Sequence, residues 1–249
     1  MQLYKLIIHK NKLDNIPENE RVFFILAGHI SNELNVLRKF IIYCSNLEPK
    51  MDHILNSQLT QSLIIIRVTI GKIYEAWRII RKIFYGNNLS FYYEPLLNDA
   101  GKAALVNLKK YFKKSNLINI IRNQYSFHYN YENIAECIHK SIDDKDRIIY
   151  LSDIISNNLY AYCDSIINYA VLELCSPGHP ETAINILMQE TIKVGDWLID
   201  FLTDCLIIMI NKYFRNEDNK LLLEILNFDQ LRSINEIEIP FFINEYHKD

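Results

Sequence analysis

One short run of the chain, Ile121-Arg122-Asn123-Gln124-Tyr125-Ser126-Phe127-His128-Tyr129, gathers the residue types that phosphodiester chemistry needs. The planar fork of an arginine donates two hydrogen bonds to a phosphate and keeps its charge, while a histidine with an ordinary pKa near about 6.5 can move a proton at neutral pH. The surroundings favour an anion. No acidic residue stands between Asp99 and Glu132, whereas Lys102, Lys109, Lys110, Lys113, Lys114 and Arg122 supply six positive charges. On a chain whose net charge is −3 this is a local cationic surface, the kind of patch a nucleic-acid role would need. The candidate site is therefore Arg122 and His128, with Asn123 between them and with Lys109, Lys110, Lys113, Lys114 and Tyr129 as substrate contacts.

Spacing constrains that site. On an ideal α-helix, Arg122 and His128 lie about 120° apart around the axis and about 9 Å apart along it. They converge on one phosphate only if the helix ends near Ser126 or if one of the groups comes from a second subunit. The bland alternative is an arginine that caps carbonyls or pairs with a carboxylate, and a histidine wedged among Tyr125, Phe127 and Tyr129.

Other constellations are weaker. Asp196, Asp200 and Asp204 recur every four residues, a spacing that suits either a divalent cation or a solvated stripe opposite Trp197, Leu198, Phe201 and Leu202. His29 and Glu33 are one turn apart and read as a local or interhelical hydrogen bond, and Glu33 is also a candidate support for Arg122. Cys137 and His139 are too close in sequence for an ordinary thiol and base pair. No nucleotide-binding glycine loop, zinc-protease motif or nucleophile elbow occurs, so no metal or cofactor is expected.

An arginine followed by a polar residue, then a histidine after five intervening positions with an aromatic residue on each side, resembles the HEPN superfamily. The likeness covers about ten residues plus the helical layout from Pro17 to Cys175. It implies a helical bundle that dimerises, so that the motifs of two protomers meet in a metal-independent ribonuclease cleft. On that resemblance Arg122 binds the scissile phosphate, His128 is the general acid or base for attack by the RNA 2′-hydroxyl, and Asn123 orients a partner. Toxin or defence proteins held by a protein antidote or regulator are the corresponding biological setting. A tyrosine placed two residues after the histidine in one toxin branch has no counterpart here, where tyrosines stand at 129 and 131. The family also includes inactive members, so the alternative is a noncatalytic helical module that binds a protein, a nucleotide or RNA.

The elements that must position these groups are legible as helices. Glycine and proline number six each in 249 residues, too few for the turns of a strand-rich fold, and the hydrophobic fraction of 49% supports an ordinary buried core. Val22, Leu26, Ile30, Leu34, Leu37 and Ile41 mark one helix from Pro17 to Asn46. From Asp52 to Tyr85, the stripe Leu55, Leu59, Leu63, Ile66, Ile70, Ile73, Trp77, Ile80, Phe84 steps by three or four without a break. Arg67, Lys72, Arg78 and Lys82 fall on its other faces. Gly86-Asn87-Asn88 ends the stripe, and Phe91-Tyr92-Tyr93 reads as an ordered loop. Helical spacing returns in 102–114, 116–125, 134–142, 158–175 and 181–214, with Asp143-Asp144-Lys145-Asp146 as a turn. The segment 147–151 is either a short strand, alone or in a pair, or a helix start. Ser176-Pro177-Gly178-His179-Pro180 is the strongest breaker. Residues 219–249 have an apolar patch at 221–226 and then lose periodicity.

The expected architecture is all-α: residues 1–175 form the bundle carrying the motif, and 176–249 form a C-terminal extension packed on the same domain. Five scattered cysteines without a CxxC pair, no leader-like N-terminus and no uninterrupted apolar span lead to the expectation of a cytoplasmic, reduced protein that does not enter a membrane.

Overall fold

The computed structural model describes residues 2–44, 51–126, 130–140, 147–227, 233 and 236–244. In chain order they form β1 (Gln2–Leu6), α1 (Lys10–Asp14), α2 (Glu18–Cys44), α3 (Asp52–Ile79), α4 (Leu89–Tyr93), α5 (Asp99–Phe112), α6 (Leu117–Ile121), α7 (Tyr131–Lys140), α8 (Ala161–Cys175), α9 (Pro180–Tyr213) and β2 (Leu223–Asn227). Wider π turns follow α3, at Ile80–Tyr85, and α6, at Arg122–Ser126. The fold is all-α, and the described residues are 73% helical with one small antiparallel strand pair among them. That pair joins β1 to β2 with Tyr4 opposite Ile225, and segment 147–151 contributes only an isolated bridge from Tyr150 to Leu159. No helix among the described residues is long and apolar enough to cross a membrane.

Two compact units divide the chain. The first comprises Met1–Asn35, Lys72–Lys114 and Lys193–Arg232, and the second Val36–Gly71, Ser115–Ile192 and Ser233–Asp249. In the first, the apolar stripe of α3 and the turn after it close around aromatic rings. Ile73, Ile80 and Phe84 have no exposed surface, Phe84 touches Phe23 and Phe201 with centroids 5.3 and 5.2 Å apart, and Trp77 stacks on Phe112. The π turn ends at Gly86, where a Cβ would lie 2.1 Å from the Lys82 carbonyl oxygen, so a glycine is needed at this close approach. Phe91-Tyr92-Tyr93, expected as loop, instead belongs to α4: Leu89 and Tyr93, four apart, are both buried, and that pairing folds the segment as a helical turn.

The start of α5 shows why Asp204 is not part of a solvated stripe. Its carboxylate accepts the Asn98 backbone N–H at 2.7 Å and the Asn98 Nδ2 at 2.9 Å, and the Asn98 Oδ1 in turn caps the helix by accepting the Gly101 N–H at 2.8 Å. Asp204 is buried, Asp196 half-buried and Asp200 exposed. A Cβ on Gly101 would sit 2.4 Å from the Asp204 Oδ2, on a carboxylate whose two oxygens each already accept a bond from Asn98. Gly101→Ala gains about 1 kcal/mol of helix propensity, yet overpacking costs about 1–3 kcal/mol. The variant should therefore melt below the wild type, which thermal unfolding followed by circular dichroism will show.

A second polar knot ties α2, α4 and α9. The Glu20 carboxylate accepts the hydroxyls of Tyr93 and Tyr213 and the Lys212 ammonium, which also lies 4.0 Å from the Tyr92 ring centroid. Burial pushes the Glu20 pKa upward, but the Tyr213 and Tyr93 hydroxyls and Lys212 outweigh it and hold the carboxyl below its usual range. A depressed folded pKa adds stability above the unfolded value that disappears as pH falls through the folded one. Glu20→Gln should therefore cost about 1–3 kcal/mol at neutral pH, and its deficit should shrink once the pH drops below about 4. Urea unfolding of both proteins at pH 7 and pH 3 measures it.

In the second unit, Ile66, Ile70, Ile118, Ile121, Ile166 and Ala170 are buried, and the Ser62 hydroxyl donates to the Cys44 carbonyl at 2.8 Å. The breaker before α9 behaves as its residues require. Gly178 takes a φ of +72°, its N–H donates to the Glu173 carboxylate at 2.8 Å, and Pro180 opens the helix.

Candidate functional site

Arg122 and Asn123 lie in the second unit, on the π turn that continues α6. Asn116 starts α6 by accepting the Asn119 N–H through its side chain, and Ile118 and Ile121 anchor the helix in the core. Because the turn widens there, one more residue is accommodated per hydrogen-bonded loop than in an α-helix, a local distortion that recurs at functional sites. The Arg122 Nη1 donates to the Asn123 Oδ1 at 3.0 Å, so the neighbouring amide holds the guanidinium. Arg122 is half-buried and Asn123 exposed.

Three bonds fix the turn. Tyr125 is buried, and its hydroxyl accepts the Asn133 Nδ2 at 3.2 Å. The Ser126 hydroxyl donates to the Arg67 carbonyl at 2.8 Å, and the Asn130 N–H donates to the Gln124 carbonyl at 3.2 Å. The π turn is described as far as Ser126, and the chain is next described at Asn130. His128 and Tyr129 lie outside the described residues, as does the turn Asp143-Asp144-Lys145-Asp146.

The structure adds a residue that sequence reasoning left on an outer face. Arg67 has a side chain only 12% exposed, donates from Nη1 to the Asn168 Oδ1 at 3.2 Å and approaches Asp164 to 3.7 Å. Burial pushes the Asp164 carboxyl up, and the Arg67 charge opposes it. The signal was available in Leu63-Ile64-Ile65-Ile66-Arg67-Val68: a cation inside so apolar a run needs a partner.

The lysines belong to the first unit, at the C-terminal end of α5 and the two residues after it. Lys109 is chelated by both oxygens of Glu94, at 2.9 and 3.0 Å, and lies 5.1 Å from the Tyr85 ring centroid. Lys110, Lys113 and Lys114 are exposed, and their charge also suits a helix C-terminus. Glu33 pairs with Lys72 and lies 3.6 Å from His29. Among the described residues no three histidine, cysteine or acidic side chains gather where one metal ion could be held. None of the five cysteines is in a disulfide, and burial pushes Cys175 up to about 11.

No family model matches this chain, no curated protein matches its sequence, and no solved structure matches its fold. Function therefore has to be argued from the site itself.

Proposed function

We propose that the protein is a HEPN-like, metal-independent endoribonuclease that cleaves RNA by attack of the 2′-hydroxyl on the adjacent phosphate, acting as a homodimer in a toxin or defence setting. The observation that carries this reading is the Arg122 and Asn123 pair on a pinned π turn of an all-helical protein. A guanidinium carries five N–H donors in a planar fork, the geometry that phosphate oxygens accept, and such bonds strengthen as charge builds on a phosphorane. His128, two residues beyond the last residue of the turn, takes the proton of the 2′-hydroxyl or gives one to the leaving 5′-oxygen. The lysines of the first unit add positive charge that favours a polyanion in general, with Lys109 partly neutralised by Glu94.

The nucleophile in this reaction comes from the substrate, which sets the test. In excess chelator the protein should cut RNA oligonucleotides and leave 2′,3′-cyclic phosphate ends, and DNA of the same sequence should survive. A strict requirement for a divalent cation, or equal cutting of DNA, overturns the proposal. Intact RNA under every condition favours the noncatalytic module.

A further inference from the structure

The second unit contains a cavity of about 250 Å³ between the N-terminal half of α3, α8 and the start of α9. Its polar lining comes from Asn56, Thr60, Ser165, Asn168 and Tyr169, with Leu172 among its apolar walls. Among the described residues no Lys, Arg, Asp or Glu lines it. A cavity lined in this way gives an anion no counter-charge, and it is smaller than the roughly 300–1,000 Å³ of pockets for drug-sized ligands. It suits one neutral ring that carries donors and acceptors of its own.

Two amides set the complementarity. Asn168 must turn its Oδ1 toward Arg67, because a guanidinium only donates, and this leaves the Asn168 Nδ2 as a donor. Asn56 spends its Nδ2 on the Tyr150 hydroxyl at 3.0 Å, which leaves the Asn56 Oδ1 as an acceptor. One fixed donor and one fixed acceptor in a neutral pocket beside a tyrosine match the edge of a nucleobase, where a ring N–H or amino group adjoins a carbonyl or ring nitrogen.

The same arginine links this pocket to the motif. Arg67 orients Asn168 with its side chain and receives the Ser126 hydroxyl on its backbone carbonyl, so one residue joins the end of the π turn to the pocket wall. We propose that this cavity is a nucleobase subsite, holding an unstacked base of the RNA whose phosphate meets Arg122. The inference rests on the ribonuclease reading for the identity of the polymer, while base binding can be measured without any cleavage.

The experiment uses the full chain and the four free ribonucleosides, with phenol as the control ring, followed by saturation-transfer NMR. At least one nucleoside should receive saturation, and phenol at the same concentration should not displace it. Asn168→Asp keeps an acceptor for Arg67 but removes the donor, so affinity for that nucleoside should fall about tenfold with unchanged circular dichroism. If Asn168→Asp fails to fold, Ser165→Val narrows the same wall and should lower affinity in its place. Nucleoside binding without RNA cleavage would sustain the subsite and remove the nuclease reading. Cleavage without nucleoside saturation, or with the same nucleotide preference in wild type and Asn168→Asp, would sustain the nuclease and overturn the subsite. Equal saturation of phenol and all four nucleosides would overturn it as well.

Discussion

Arg122→Ala should reduce RNA cleavage by at least about a thousandfold, the scale on which removing a donor to a transition-state oxyanion acts, and His128→Ala should do the same. The two losses should not multiply in the double variant, because both groups serve one step. The fold should survive, because Ile121 and Tyr125, the buried neighbours of Arg122 in sequence, keep their packing. Rates measured by gel on a labelled oligonucleotide, with melting temperatures alongside, separate the two effects. A variant that melts with the wild type and still cuts at the wild-type rate removes Arg122 from the mechanism. Mixing Arg122→Ala with His128→Ala subunits extends the experiment to the proposed dimer, since activity regained by the mixture requires one group from each subunit.

The second large effect is expected in the core. Phe84 has no exposed surface and touches Phe23, Tyr85 and Phe201, with Tyr85 and Phe201 edge-on to it. Phe84→Ala should cost about 3–5 kcal/mol, combining lost transfer energy with a cavity that the surrounding rings cannot fill. Since whole domains are stable by only about 5–15 kcal/mol, much of the chain's margin would go with one side chain. Chemical denaturation gives the value, and a change below about 1 kcal/mol would show that the ring cluster repacks.

The helices were legible because their apolar spacing survives folding. Leu63, Ile66, Ile70, Ile73, Trp77, Ile80 and Phe84 are all buried, although Leu55 and Leu59 are only half-buried. Where the period changes, the reading slipped. An α-helical stripe through Tyr85 conceals the π turn from Ile80, since the hydrogen-bond pattern shifts by one residue while the apolar residues continue. On α2, Val22 was placed on the inner face, yet Phe23 and Ala27 are buried and Val22 is exposed, a displacement of one position at the helix start. The strand pair was invisible for another reason: neither β1 nor β2 alternates cleanly, because both strands are largely exposed and no buried face imposes a period of two.

At the candidate site, residue types were readable and their anchors were not. Nothing local in the sequence connects Ser126 to Arg67 or Arg67 to Asn168, contacts that only the tertiary fold creates. Asp204 taught the same lesson in reverse: its four-residue spacing suggested a stripe, while its function in the fold is to hold Asn98 at the head of α5.

The pairing of β1 with β2 has a consequence for biosynthesis. Lys5 and Glu224, which face each other across the pair, are 219 positions apart, so a ribosome adding about 5–20 residues per second makes the earlier strand wait about 10–45 s for its mate. During that interval the exposed backbone edge and the apolar side chains of Leu3 and Tyr4 have no native strand to meet. The nascent chain must therefore keep β1 from foreign edges until translation has gone past α9 and through β2, and the first unit, assembled from three separate stretches of sequence, completes itself late.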